Sequence, residues 1–195
     1  MANGRIIGLT GGIGAGKSVV SRILRGQGFT VYDCDMEARW IMDTADELKA
    51  EICTRLGADC LNADGSLCRP KIAEVVFNDA DQLNWLNSRV HCMVRDDVHL
   101  RASQCSCKTM FVESAILKSS KLTELCNEIW VVTAPDDIRL ERACNRDKQS
   151  ENKIKARMNA QASEYEDFGN IPTKIIDNSG TRALLPRLLQ LLKTI

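Results

Sequence analysis

The run Gly11-Gly12-Ile13-Gly14-Ala15-Gly16-Lys17-Ser18 constrains this chain more than any other feature, because it meets G-x-x-x-x-G-K-[ST] in full. It follows the apolar run Ile6 to Thr10 and precedes Val19, Val20, Ile23 and Leu24, which recur at helical spacing before Gly26 and Gly28. Strand, glycine-rich loop and helix in that order make a phosphate-binding loop. Glycine lets the backbone bring its N–H groups against phosphate oxygens, and the following helix adds its positive N-terminus. Gly12, Ile13, Gly14, Ala15, Gly16, Lys17, Ser18 and Val19 are the expected nucleotide contacts. Lys17 is expected on the β and γ phosphates and Ser18 on the metal, so the predicted ligand is ATP with Mg2+.

Further apolar runs at Thr30 to Asp33, Met110 to Glu113, Ile129 to Thr133 and Lys174 to Asp177 alternate with helical patterns. This predicts an α/β fold: a P-loop NTPase three-layer sandwich with a parallel five-stranded sheet. The interval between Asp33 and Met110 is too long for one crossover, so residues 37–105 are expected to form an inserted helical acceptor-binding subdomain. Residues 1–36, 106–138 and 171–195 are left as the core. Within the insertion, Thr44-x-x-Glu47 reads as a capping box for a helix carrying Leu48, Ile52 and Leu56 and ending before Gly57. Pro70 suits a helix start ahead of Ile72, Val75 and Val76. A third helix sets Leu83, Leu86, Val90, Val94 and Val98 beside a polar stripe of Asn84, Asn87, His91 and Arg95, which is able to face a ligand or solvent.

After Pro135-Asp136-Asp137, an acidic first turn, Arg139, Arg142 and Arg146 point to one side of a helix. A second charged helix starts at Ser150, with Arg157 and Gln161 one turn apart. Charged helices with few apolar anchors read as a movable flap, so 139–170 is the expected lid. The chain closes on the turn Asn178-Ser179-Gly180 and a helix packing Leu185, Leu188, Leu189 and Leu192 on the sheet.

Charge separates the classes of function. The 195 residues carry 26 Lys and Arg against 26 Asp and Glu, so no broad basic surface for duplex nucleic acid is expected. The nine cysteines form no C-x-x-C pair and are joined by only two histidines, which argues against structural zinc and for a reducing compartment. Neither the N-terminal residues nor Leu184 to Leu192 resemble a signal sequence or a membrane span. A cytoplasmic protein with small-molecule partners and no membrane association is the expectation.

The loop by itself leaves three reactions open: phosphoryl transfer to a small acceptor, a GTP-dependent switch, or an ATPase coupled to work. The chain lacks a guanine-reading N-K-x-D. Asp177-Asn178-Ser179-Gly180 mimics the D-x-x-G of a switch too late in the chain to be followed by a base-reading strand. A motor needs further domains. Kinase chemistry has positive support, because Asp33-Cys34-Asp35 closes the second strand at the edge where ligands of parallel sheets sit. Alternation along a strand would put both carboxylates on one side, one to take a hydroxyl proton and the other to hold water around magnesium. Glu113 ends the third strand where an acid for a metal-bound water is expected, and the arginine stripe would neutralise charge on the transferred group.

Taken in order, Gly8 to Ser18, Asp33-Cys34-Asp35, Asp64-Gly65 before Arg69, Val76-Phe77, Leu86-Asn87 with His91, Arg142, Arg146-Asp147, Arg157, Gln161 and Ile176 to Gly180 resemble the dephospho-CoA kinase family over nearly the whole chain. The resemblance implies transfer of the ATP γ-phosphate to the ribose 3′-hydroxyl of dephospho-CoA, the last step of coenzyme A biosynthesis. Asp33 would then be the base, acting with Lys17 and Arg142. Arg146 and Asn178 would join the ATP site, while Asp35, His91, Arg95, Glu113 and Arg157 would serve the acceptor. The chain departs from the family in having His91-Cys92 for His-Pro, and Glu113-Ser114-Ala115-Ile116-Leu117 where Pro-Leu-Leu is usual. A kinase of another small acceptor, such as a nucleoside monophosphate, is the alternative.

Overall fold

The computed structural model describes residues 4–105 and 108–195. Five parallel strands, β1 (Arg5–Thr10), β2 (Thr30–Asp33), β3 (Thr109–Glu113), β4 (Glu128–Thr133) and β5 (Thr173–Asp177), lie in the order β2-β3-β1-β4-β5. All five expected strands are present, four of them one residue longer at the N-terminal end. β1 pairs with β3 on one side and β4 on the other, so the loop that leaves it emerges at the middle of the carboxyl edge. The chain leaves β1 toward β2 and leaves β3 toward β4, in opposite directions. That reversal creates the crevice in which ligands of open α/β sheets bind.

Helix α1 (Lys17–Gly26) follows the loop, and α8 (Leu184–Leu192) closes the chain. Together they cover one face of the sheet, where Ile7, Leu9, Val20, Leu24, Phe111, Trp130, Ile176 and Leu188 form the main core. Phe111 meets Phe29 and Trp130 edge to face, with ring centroids 5.4 and 5.0 Å apart. On the other face, a Cβ at Gly8 would come within 2.9 Å of Cys126 Sγ and Leu117, which is why β1 has no side chain there. Burial in that layer pushes the Cys126 thiol up to about 12. The last helix seats itself through Leu184, Leu188, Leu191 and Leu192 rather than the expected stripe, and Leu185 is exposed. Among the described residues no helix is long and apolar enough to cross a membrane.

The chain divides into two compact units, one of residues 1–33 and 99–195 and one of Cys34–Val98. The second unit is wholly helical, apart from one hairpin, and begins and ends earlier than the expected 37–105. It comprises α2 (Cys34–Thr44), α3 (Asp46–Leu56), α4 (Arg69–Asn78) and most of α5 (Ala80–Gln104). Ile41, Leu48, Ile52, Ile72, Val76, Leu86, Val90 and Val94 are among its buried residues, and one guanidinium edge of Arg89 donates to both carboxylate oxygens of Glu51. The expected capping box is absent. Thr44 is the last residue of α2, its hydroxyl donating to Trp40 O at 2.7 Å, and Ala45 precedes α3 with no side-chain cap.

Helices α6 (Asp136–Asp147) and α7 (Glu151–Ala160) occupy the expected lid segment, but they are better anchored than their charge suggested. Ala143, Ile154 and Met158 form a small buried cluster with Ile13 of the phosphate-binding loop.

Phe111 makes the central contact of the main core, so Phe111→Ala is expected to lower unfolding free energy by about 3–5 kcal/mol in urea denaturation. A loss below about 1 kcal/mol would mean that the aromatic stack does not organise this face.

Candidate active site

Gly11 to Gly16 takes the shape its glycines allow. Gly11, Gly14 and Gly16 have φ of 146°, 77° and 99°, a region side chains rarely enter. Ala15 N–H donates to Gly12 O at 3.1 Å, and Val19 and Val20 N–H both return to Gly16 O, closing the first turn of α1. Among the described residues, the N–H groups of Gly14, Gly16 and Ser18 donate to no backbone carbonyl. Three unspent donors at the positive end of a ten-residue helix form an anion cradle. Lys17 Nζ folds back over it, donating to Gly11 O at 2.7 Å, and Ser18 is exposed at the helix start.

The side chains of Ile13 and Ala15 face the core, so these two residues serve the cradle through their backbone. Val19 is partly exposed on the first turn of α1.

Arg139 of α6 braces the loop from behind. Only 8% exposed, it donates Nε to Ile13 O at 3.1 Å, Nη1 to Asp136 at 2.8 Å and Nη2 to Tyr165 Oη at 3.2 Å. A Cβ at Gly12 would meet its guanidinium at 2.0 Å, and one at Gly14 its backbone oxygen at 2.1 Å. Asn178, just beyond β5, braces the other side: its Nδ2 donates to Ala15 O at 2.8 Å, and its own carbonyl accepts Arg142 Nη1 at 3.0 Å. Asn178 and Arg142 are thus joined at the loop.

The three arginines of α6 do not converge. Arg139 is spent on the loop, Arg142 on Asn178, and Arg146 turns outward to Asp147, with Nε to Oδ1 at 2.6 Å. Arg157 donates to the same carboxylate at 2.9 Å. These two charge-assisted bonds hold Asp147 below its ordinary value.

Asp33 and Glu113 end adjacent strands in direct register, so two carboxylates stand side by side at the carboxyl edge. Ser21, fully buried one turn beyond Lys17, donates its hydroxyl to Glu113 Oε2 at 2.5 Å. Burial pushes Glu113 above the usual carboxylate range and the charge of Asp33 adds to it, against the opposing bond from Ser21 and the cations Lys17 and Arg25.

Asp35 is not on the strand. β2 ends at Asp33, the chain enters α2 at Cys34, and Asp35 lies exposed in the first helical turn, where an acid suits the helix dipole. The alternation expected to aim it beside Asp33 therefore stops two residues too soon. His91 and Arg95 lie one turn apart on α5, both half-buried and both engaged by neighbours.

Ser21 and Tyr165 were not among the expected site residues. Ser21 repeats the loop's helix at i+4 from Lys17, a spacing that would have suggested it. Tyr165 carries no local signal. Thr10, at the end of β1, has a buried hydroxyl with no partner among the described residues. The donor set suits magnesium carried by a nucleotide: a serine hydroxyl with nearby carboxylates, and among the described residues no cluster of three acids, histidines or thiols to cage an ion directly.

Residues 5–183 match the family model described as Dephospho-CoA kinase. Dephospho-CoA kinases of Porphyromonas gingivalis and Aggregatibacter actinomycetemcomitans are 36% and 37% identical, covering 97% and 95% of this chain and 93% and 89% of theirs. TT1252 from Thermus thermophilus superposes with a TM-score of 0.79 at 30% identity, over 98% of this chain and 97% of its own. A shikimate kinase from Acinetobacter baumannii shares the fold at TM-score 0.52 and 16% identity, over 99% and 95%.

Two predictions follow from the geometry. Gly14→Ala forces a Cβ onto Arg139 and is expected to weaken ATP binding at least about tenfold by calorimetry, or about 1.4 kcal/mol; an unchanged Kd would contradict the cradle. Glu113 binds more protons folded than unfolded, so it costs stability as pH rises from its unfolded value through its raised folded one. Glu113→Gln removes that titration and keeps an acceptor for Ser21. Its Tm should exceed the wild type's near neutral pH and match it below the ordinary glutamate range; a pH-independent difference would refute the assignment.

Proposed function

Because the chain belongs to the dephospho-CoA kinase family, we propose that it transfers the γ-phosphate of ATP to the ribose 3′-hydroxyl of dephospho-CoA, giving coenzyme A and ADP. The observation that carries this reading is the Asp33–Glu113 pair beside the loop and Lys17. Of the two acids, Asp33 is the base, and Glu113 is the one that burial holds above the usual carboxylate range. Asp33 accepts the proton of the acceptor hydroxyl as its oxygen bonds to the γ-phosphorus, and the bond from that phosphorus to the bridging oxygen breaks to release ADP.

Lys17 exchanges the Gly11 carbonyl for the β and γ phosphates, and Arg142, held at Asn178 beside the loop, offsets charge on the transferring group. The cradle from Gly12 to Val19 holds the phosphates. Ser18 would hold Mg2+, which when bound draws charge from the β and γ oxygens.

Asp35, His91 and Arg95 serve the acceptor in this reading, and the helical insertion is the acceptor-binding part. Segment 139–170 acts as the lid. Arg146 and Arg157 reach phosphate by giving up Asp147, so lid closure trades one set of charge-assisted bonds for another. The unpatterned thiols, free at every described cysteine, fit a reducing, cytoplasmic setting.

ADP release with dephospho-CoA as acceptor tests the reading. Asp33→Asn is expected to lower kcat by about 10²–10⁴ while leaving ATP affinity largely intact. An equal loss of ATP affinity would make Asp33 a binding residue. Faster turnover with AMP, CMP or shikimate would assign a different acceptor.

A further inference from the structure

Three cysteines gather in the helical unit, away from the phosphate-binding loop in sequence. Cys53 lies on α3, Cys60 ends a short 3-10 turn (Ala58–Cys60), and Cys68 immediately precedes α4. Between the last two runs a tight hairpin. Leu61 and Leu67 form an antiparallel bridge, flanked by Asn62 N–H to Ser66 O and Cys68 N–H to Cys60 O, both at 2.8 Å. Asp64 tightens its tip by accepting the Ser66 N–H and hydroxyl, and Gly65 takes the left-handed turn position.

That pattern fixes the relation of the two sulfurs. Leu61 and Leu67 are the non-hydrogen-bonded pair of the ladder, so Cys60 and Cys68 face each other across the next rung with Cα atoms about 5.5 Å apart. Disulfides span Cα separations of about 4.4–6.8 Å. Side chains alternate along a strand, so both cysteines project from one face of the ribbon, opposite to Leu61 and Leu67.

We infer that Cys60 and Cys68 are a redox modification site, closing reversibly to an intramolecular disulfide by exchange with low-molecular-weight disulfides.

Three features favour exchange here. Cys68 stands at the N-cap of α4, where serine, threonine or an acid is preferred, and makes no side-chain cap bond, so its oxidation sacrifices no cap. It is half-exposed, whereas Cys60 is buried, so an incoming disulfide meets Cys68 first. A cavity of about 300 Å³ is lined by Gly57, Asp59, Cys60, Lys71, Glu74 and Asn78, beside the second cysteine. Burial raises the Cys60 thiol, with Cys53, Cys68 and Asp59 adding to the effect and Lys71 opposing it, so Cys60 is the weaker first nucleophile of the two.

The exchange balances in two steps. Cys68 gives its proton to solvent and its sulfur attacks one sulfur of RSSR, breaking the S–S bond, and the RS⁻ released takes up a proton. Cys60 then gives its proton to solvent and attacks the Cys68 sulfur, expelling the second RS⁻, which is protonated in turn. Two cysteine thiols are oxidised, and one small disulfide is reduced to two thiols. Closing this hairpin restricts the unfolded chain and is expected to raise Tm by about 5 °C.

The test uses the full-length chain incubated with oxidised glutathione, alkylated and digested with trypsin. Cys60 and Cys68 fall in one peptide, 56–71, because Pro70 blocks cleavage after Arg69, while Cys53 falls in 50–55. The expected result is peptide 56–71 unalkylated, lighter by two hydrogens and free of glutathione, restored by dithiothreitol and unaffected by Cys53→Ser. With Cys60→Ser, glutathione is expected to stay on Cys68. A wild-type peptide alkylated at both cysteines, one retaining glutathione, or one cross-linked to 50–55 would overturn the assignment. Because wild-type mapping decides the pairing, a variant that fails to fold leaves the test standing.

Discussion

The guanidinium of Arg139 holds together what the rest of the site requires. A loop with three glycines in left-handed regions is costly to order, since glycine loses more conformational freedom than any other residue on folding. Its carbonyls therefore need partners that hold it open. Arg139 takes the Ile13 carbonyl from one side and Asn178 takes the Ala15 carbonyl from the other. With its carbonyls engaged outward, the loop turns its N–H groups inward, and Arg139 of α6 and Asn178 at the end of β5 shape the cradle from outside it. Arg142 closes the circuit by bonding the backbone of Asn178.

The same economy appears in the acids. Parallel pairing in register brings Asp33 and Glu113 together at the one edge of the sheet that faces the loop, and two like charges in a half-buried place do not both ionise freely. Ser21 supports the carboxylate of Glu113, and burial opposes it. Burial and the neighbouring charge of Asp33 outweigh the Ser21 bond and set Glu113 above the usual carboxylate range before any ligand is present. Lys17, near enough to Glu113 to lower it, ties this pair to the cradle.

Much of this was legible in the residues. The loop motif fixed β1, its turn and α1, and short apolar runs located all five strands because buried parallel strands read as continuous hydrophobic stretches. Asp33 and Glu113 were found as strand ends. Alternation carries Asp35 onto a strand that stops two residues earlier, whereas the preference of aspartate for helix starts gives the observed outcome. Thr44 carried the capping signature, yet its hydroxyl serves the end of one helix instead of the start of the next. The arginines of α6 share a face, but a face does not say which neighbour each long side chain meets. One found the loop, one Asn178, and one its own neighbour Asp147. Ile154 and Met158 anchor a helix whose composition offers few apolar residues, since two buried ones suffice once Ile13 is there to meet them.

The central claim is that these groups move one phosphoryl group from ATP onto one hydroxyl of dephospho-CoA. Phosphorus NMR of the product, formed with ATP and magnesium, reads the outcome directly. The account predicts one new phosphomonoester signal, coupled to the ribose 3′ proton, appearing in step with ADP. Formation of ADP with inorganic phosphate alone, or a phosphate on any other hydroxyl, would contradict it.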